Sequence, residues 1–165
     1  MKVFETERLI LRPFEEKDYP YFLEVFSDAE VAKFIGGVKA PEQIWRLLAT
    51  YIGHYHMKSY GKMAVVEKST NEFLGSTGLW NSEPWPELEL GYWYRKSAQG
   101  KGYATEAAGI MKDYAFNQLN ADTLVSYIAP LNIPSQKLAE RLGAFNDKTI
   151  NLLGFGEHYV FRYKK

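Results

Sequence analysis

The segment AQGKGYATEAAG, residues 98–109, places two glycines around one lysine directly before a run of helix-forming residues. Gly100 and Gly102 can adopt positive φ angles and let a ligand approach the main chain closely. A loop of this kind at the start of a helix directs several N–H groups and the positive end of the helix dipole at one point, which favours an anion. The segment therefore predicts a phosphate-binding loop, with a flexible loop that holds no ligand as the alternative.

Two common phosphate-binding motifs fit this segment poorly. A P-loop requires Ser or Thr after its Gly-Lys pair, whereas Gly102 follows Lys101. A dinucleotide-binding fingerprint requires a third glycine where Thr105 stands, and the strand before the segment belongs to a predicted meander rather than to a βαβ unit. Neither kind of nucleotide site is favoured.

The composition is that of a globular protein with a single domain over residues 1–165. Hydrophobic residues make up 46% and charged residues 24%, and no apolar run approaches the ~18 residues of a transmembrane helix. The first residues lack the pattern of a signal peptide, so we expect a cytoplasmic protein without a membrane partner. Twenty basic residues balance twenty acidic ones, which argues against direct binding of nucleic acid.

The absence of cysteine excludes a disulfide scaffold, a thiolate zinc site and a cysteine nucleophile. His54 and His56 stand two apart in a predicted helix and therefore point in different directions, which disfavours a shared metal ion. We predict no metal site, interpret both histidines as surface or packing residues, and assign no role to His158.

Hydrophobic periodicity predicts an α+β fold with the element order βααβββαβαββ. The predicted strands cover residues 7–14, 62–68, 73–80, 87–95, 122–129, 144–150 and 157–164, and the predicted helices cover residues 17–28, 40–61, 102–119 and 134–143. Asp18 is the expected N-cap of the first helix. The three strands in the middle of the chain are expected to form an antiparallel meander.

Three segments carry a resemblance to a known family. GYWYRKSAQGKGYATEA, residues 91–107, closely resembles the acyl-CoA pyrophosphate loop of the GNAT superfamily of N-acetyltransferases. TERLILRPF, residues 6–14, and NIPSQKLAERLGAF, residues 132–145, resemble its Rim-type branch of ribosomal-protein N-terminal acetyltransferases. The resemblance spans roughly Thr6 to Tyr163 and implies a mixed, mostly antiparallel central sheet flanked by helices.

The resemblance implies direct transfer of an acetyl group from acetyl-CoA to a primary amine, such as a protein or peptide N-terminus. Two alternatives remain open: a CoA-binding protein with little or no turnover, and an acetyltransferase for a small-molecule amine. A homodimer is possible. The missing cysteine nucleophile supports direct transfer.

The resemblance also assigns residues to acetyl-CoA. The main chain of Trp93 and Tyr94, at an expected bulge, would pair with the pantetheine arm and supply an N–H for the developing oxyanion. Asn132 would contact pantetheine, cap the following helix, or do both. The cofactor-binding residues are Trp93, Tyr94, Gln99, Gly100, Lys101, Gly102, Tyr103, Ala104, Thr105 and Asn132.

Catalytic residues follow from what amide formation requires. Many members of the family protonate the leaving thiolate with a tyrosine seven residues after the motif asparagine, but Ala139 stands there. With that tyrosine missing, Ser135, which stands where the Rim-type branch has its serine, is the candidate for hydrogen-bonding or protonating the sulfur, with a simple helix-capping role as the alternative. Glu89 is the candidate base, acting directly or through a water, unless it is only the solvent-facing residue of an amphipathic strand.

The acceptor pocket is expected to be aromatic. The candidates to line it lie beside a proline-broken loop, between the first two predicted helices, or on the strand before the glycine loop: Phe34, Trp80, Trp85 and Trp93. Core packing is the alternative role for each of them.

Overall fold

The computed structural model describes all 165 residues, and one eight-stranded sheet organises them. The strands are β1 Phe4–Glu5, β2 Leu9–Arg12, β3 Lys62–Glu67, β4 Phe73–Trp80, β5 Glu89–Tyr94, β6 Val125–Ile128, β7 Phe145–Asn151 and β8 Glu157–Arg162. Their spatial order is β1-β2-β3-β4-β5-β6-β8-β7, and only the β5–β6 pair is parallel. The predicted mixed, mostly antiparallel sheet is confirmed.

Five α-helices flank the sheet. They are α1 Tyr19–Ser27, α2 Ala29–Ala32, α3 Pro41–Lys58, α4 Tyr103–Asn117 and α5 Ile133–Arg141, with short 3₁₀ turns at Glu16–Asp18 and Lys96–Ala98. Every predicted element is present, and the structure adds β1 and α2. Two to four residues are too few to show a periodicity, which is why the sequence pattern did not indicate these two elements. None of the helices combines the length and apolar character that crossing a membrane requires.

Asp18 precedes α1 as predicted, but the expected capping bond is absent. Its buried carboxylate instead accepts two hydrogen bonds from the Arg12 guanidinium, at 2.7 and 2.8 Å, and one from the Glu15 N–H. A charged guanidinium binds a carboxylate more strongly than a neutral main-chain donor does, so the ion pair takes the place of the cap.

Side chains on the two faces of the sheet build two main cores. On one face, α4 covers a cluster that includes Leu9, Leu11 and Met111. On the other face, α1 and α3 cover an aromatic cluster that includes Phe22 and Trp93. Successive side chains of a strand point to opposite faces, so these two cores fix the orientation of every residue in β5.

The sheet opens in its middle, between β5 and β6. These two strands pair at one position only, Glu89 opposite Val125, and then diverge. The β4–β5 ladder, by contrast, runs without a shift from Gly75 opposite Tyr94 to Trp80 opposite Glu89. The prediction of a bulge in β5 is therefore wrong: the gap comes from the separation of two parallel strands and not from an extra residue in one of them.

Candidate active site

The glycine loop has the conformation that its sequence indicated. Gly100 has φ 75° and Gly102 has φ 81°, both in the left-handed region, and Gly102 is the residue that precedes α4. A side chain at either position would strain the backbone. The loop therefore leads the chain into α4 with an uncovered main chain at the positive end of the helix, as an anion site requires.

Arg8 on the loop before β2 holds this segment in place. Its Nη1 donates to the Lys101 carbonyl at 2.9 Å, and its Nε donates to Glu106 at 2.7 Å. The guanidinium also lies 4.6 Å from the centre of the Tyr103 ring. Glu106 accepts further bonds from the Thr6 hydroxyl and from the Arg8 main chain. Sequence reasoning missed Arg8, because an arginine beside a half-buried strand carries no local mark of such a role.

A cavity of about 670 Å³ lies over this loop. Of the predicted cofactor residues, all except Lys101 line it: Trp93, Tyr94, Gln99, Gly100, Gly102, Tyr103, Ala104, Thr105 and Asn132. Three cations also line it, Lys33, Lys96 and Arg141, and Arg141 donates to the Thr105 hydroxyl at 3.3 Å. Arg141 was not singled out from the sequence, although it stands two turns after Pro134 on a helix that faces the loop.

The free edge of β5 forms one wall of the gap between β5 and β6. The Arg95 N–H donates to the Leu74 carbonyl at the β4 side, whereas the Leu88 carbonyl accepts from Val125 at the β6 side. Main-chain groups of successive residues in a strand point to alternate edges. The N–H and C=O groups of Tyr92 are therefore directed into the gap and have no strand partner there.

The same alternation corrects one of the predicted contacts. The main chain of Trp93 is directed at β4, so it cannot pair with a ligand in the gap, and its side chain packs in the aromatic core. The main chain of Tyr94 does face the gap, where its carbonyl accepts a bond of 3.2 Å from the Gln99 side chain. Tyr92 is thus a main-chain candidate that the sequence reasoning missed.

A second cavity, of about 370 Å³, lies against β5 and β6. All four aromatic residues predicted for the acceptor pocket line it, and so does Glu89: Phe34, Trp80, Trp85, Trp93 and Glu89. The two cavities share a boundary formed by Phe34, Ile35, Tyr92, Trp93, Asn132 and Ser135. The structure therefore places Ser135 where the two cavities meet and Glu89 inside the second one.

The start of α5 orients Ser135. Asn132 caps the helix by accepting the Ser135 N–H at 3.4 Å, and the Tyr92 hydroxyl donates to the Ser135 carbonyl at 3.2 Å. Both contacts use main-chain atoms of Ser135, so its hydroxyl is left free at the boundary. Ala139 is fully buried and supplies no polar group.

Glu89 is held by one strong contact and surrounded by polar groups. The Trp85 indole N–H donates to its carboxylate at 2.9 Å. Burial raises the pKa of Glu89, while the charge of Lys62 and the bond from Trp85 oppose that increase. A carboxylate with a raised pKa beside a cavity is suited to accept a proton near neutral pH. Lys62 and His158 also line the cavity, and no pattern in the sequence indicated a role for either.

The other two histidines do not form a site. His54 is buried and stacks on Trp80, with a ring separation of 4.3 Å, and it lies 3.3 Å from the Asn81 side chain. His56 is exposed on α3. Their interpretation as packing and surface residues is confirmed.

Comparison with known proteins gives consistent matches over nearly the whole chain. Residues 8–144 match the family described as acetyltransferase (GNAT) domain. The protein YkkB of Bacillus subtilis is 32% identical over 150 residues, which cover 88% of this chain and 86% of that protein. An acetyltransferase structure from Agrobacterium tumefaciens is 31% identical with a TM-score of 0.92, covering 100% and 95% of the two chains. A ribosomal-protein-S5-alanine acetyltransferase from Vibrio fischeri, 18% identical with a TM-score of 0.72 over 98% and 96%, shares the fold.

Proposed function

The chain belongs to the GNAT family of acetyltransferases and is an N-acetyltransferase. We therefore propose that it transfers the acetyl group of acetyl-CoA directly to a primary amine held beside Glu89. Use of acetyl-CoA follows from the family.

The larger cavity fits the CoA portion of the donor substrate. The left-handed main chain at Gly100 and Gly102 leaves the N–H groups at the start of α4 uncovered, and these would hold the pyrophosphate. Lys96 and Arg141 add positive charge to the same cavity. The free main-chain edge of β5 would pair with the pantetheine arm as an additional strand does.

Each step of the transfer has a candidate group. A C–N bond forms between the amine and the thioester carbon, and the C–S bond breaks. The Tyr92 N–H, which faces the gap, would stabilise the negative charge that develops on the carbonyl oxygen. Glu89 would accept the proton of the attacking amine, and the Ser135 hydroxyl would donate a hydrogen bond or a proton to the sulfur.

The observation that carries this proposal is the shared boundary of the two cavities. Ser135, Asn132 and Tyr92 line both of them. A thioester that enters from the glycine loop and an amine that enters from the aromatic cavity would therefore meet at these residues. Proximity of this kind contributes much of the rate in a transfer between two bound substrates.

The test is release of free thiol from acetyl-CoA in the presence of amines of different classes, including peptides with free N-termini. Ser135→Ala should lower kcat by about 10- to 100-fold while the Kd of CoA, measured by calorimetry, changes less than about threefold. Ser97→Ala, an exposed serine outside both cavities, is the matched control.

Two outcomes would contradict the proposal. Unchanged turnover in Ser135→Ala would remove Ser135 from the mechanism. Binding of CoA without thiol release for any amine would favour a CoA-binding protein, a possibility motivated by the buried Ala139 at the position of the usual tyrosine.

A further inference from the structure

Lys62 brings a buried positive charge to the wall of the second cavity. It is the first residue of β3 and is only 8% exposed, yet it lines the cavity that contains Glu89. Its ammonium group has no hydrogen bond to another residue, and no ion pair of the protein within 4.0 Å includes it. An unpaired charge in such a position is unfavourable unless a partner arrives.

Gly91 makes the space that the ammonium group occupies. A Cβ atom at Gly91 would lie 2.0 Å from the Lys62 Nζ and 3.3 Å from a Glu89 carboxylate oxygen. The cation and the anion therefore border the same small space, but they lie too far apart for a direct ion pair. Both residues line the cavity, so a ligand with two polar groups could contact both of them from there.

The charges of the two groups are also incompletely compensated. Burial lowers the pKa of Lys62 and raises the pKa of Glu89, and each charge only partly offsets the effect on the other. A ligand that offers a positive group to Glu89 and a negative group to Lys62 would satisfy both at once.

A second donor without a partner lines the same cavity. The Tyr127 hydroxyl is buried and has no hydrogen-bond partner. The remaining lining is largely apolar or aromatic and includes Trp80, Trp85 and Leu152. The cavity thus combines one carboxylate, one buried cation, the unpaired Tyr127 hydroxyl and a broad apolar wall. A second lysine of the lining, Lys39, is only half-buried and donates to the Gly36 carbonyl.

We propose that Lys62 binds a carboxylate group of the acceptor and that the acceptor is a free α-amino acid with an apolar side chain. This inference rests on the proposed function, because Glu89 must receive the amine for the carboxylate to reach Lys62. Lys62 is the buried cation of the cavity and matches a carboxylate in charge, and the aromatic wall suits the apolar side chain. A peptide N-terminus has an amide carbonyl in place of the carboxylate and would leave the cation without a counter-charge.

The test compares three compounds for each of several apolar side chains: the L-amino acid, its amide and the amine that lacks the carboxyl group. Thiol release from acetyl-CoA measures kcat/KM. We expect at least one amino acid, for example among leucine, methionine, phenylalanine and tryptophan, to exceed both of its relatives by tenfold or more. Peptides that begin with the same residues form a further arm.

Lys62→Met tests the residue itself. The variant keeps a chain of similar length and removes the charge, so the fold should be retained, as circular dichroism and thermal melting would show. It should lower kcat/KM for the amino acid at least tenfold, to the level of the amide, while the Kd of CoA stays unchanged. Lys58→Met removes an exposed lysine outside the cavity and is the matched control.

The outcomes separate the two proposals. Amides, amines or peptides that react as well as the amino acids would overturn the assignment of Lys62 and leave the acetyltransferase proposal intact. An equal loss for all three compounds in Lys62→Met would also overturn it, because Lys62 would then act only as a counter-charge to Glu89. Absence of thiol release with every amine would overturn both proposals.

Discussion

The role of Glu89 depends on groups that its own strand does not supply. Trp85 comes from the loop before β5, Lys62 from β3 and His158 from β8, and all three act on its carboxylate through a hydrogen bond or through charge. Burial outweighs them and raises the pKa of Glu89. The carboxylate is therefore a stronger base than an exposed glutamate.

Glu89→Gln should reduce kcat by about 100-fold near neutral pH, since the amide cannot accept a proton. In the wild type, activity should decrease as the pH falls through the raised pKa of Glu89, because only the ionised form is the base. The ratio of wild-type to variant activity should also narrow at alkaline pH, once the pH exceeds the pKa of the acceptor amine and the amine loses its proton in solution. Pairs of pH–rate profiles measure this ratio.

The control for this prediction is Glu140→Gln, an exposed glutamate on α5. It should leave the pH–rate profile of the wild type unchanged. If the ratio of wild-type to Glu89→Gln activity stays constant from acidic to alkaline pH, Glu89 positions the acceptor without taking its proton.

A side chain from another part of the chain fixes the start of α4. The Arg8 guanidinium joins the carbonyl of Lys101 to the carboxylate of Glu106. Because the Arg8 side chain is 43% exposed, its ion pair contributes little to the free energy of unfolding. Its effect should instead be on the direction of the N–H groups around Gly102.

Arg8→Met should raise the Kd of CoA by about tenfold, equivalent to roughly 1.4 kcal/mol, with little change in the midpoint of thermal unfolding. Glu106 keeps its bonds from the Thr6 hydroxyl and from the main-chain N–H of residue 8, so its charge stays satisfied. Calorimetric titration with CoA and a thermal melt measure the two quantities.

Arg46→Met is the matched control, because it breaks an exposed ion pair with Glu42 on α3, away from the loop. It should change neither the Kd of CoA nor the midpoint of thermal unfolding. An Arg8→Met variant that binds CoA as the wild type does would show that the loop holds its conformation through its two glycines alone.

The order of the elements could be predicted from the sequence because each long helix and strand carries its own apolar pattern. The glycine loop was also predictable, since Gly100 and Gly102 are needed locally for their positive φ angles. The bulge was not a property of β5: the gap follows from how β6 diverges, which no segment encodes alone.

In the site too, residues beside a local motif could be predicted, whereas residues that depend on distant contacts could not. Ser135 and Glu89 were found from their places beside recognisable motifs, and the structure brings both to adjoining cavities. Lys62 and Arg8 were missed because their roles come from contacts with residues far along the chain, at Gly91 and Glu106. A lysine at the start of a strand is expected to be exposed, and only the structure shows that Gly91 leaves space for the Lys62 ammonium group.

At the scale of the whole molecule, the sheet consists of two parts that meet at one main-chain position. β1 to β5 form one part, and β6, β8 and β7 form the other. Arg162 on β8 joins them beyond that position: it donates to Glu87, which precedes β5, to Thr123, which precedes β6, and to Asp147 on β7. The side-chain hydrogen bonds of Arg162 therefore connect the two parts of the sheet in place of a longer β5–β6 ladder, and the gap between these strands can stay open.

Arg162→Met should lower the free energy of unfolding by about 2 kcal/mol at pH 7, the scale of hydrogen bonds to a charged group. The bonds from Arg162 hold the pKa of Glu87 below its ordinary value. A carboxylate with a lowered pKa stabilises the fold above its unfolded pKa of about 4.3 and loses that contribution as the pH falls through its folded value. The difference between wild type and variant, measured by urea unfolding, should therefore shrink from pH 7 to pH 3. Arg46→Met, the control, should have the free energy of unfolding of the wild type at both pH values. If Arg162→Met is destabilised equally at pH 7 and pH 3, Arg162 stabilises the two parts of the sheet by packing rather than by its charge.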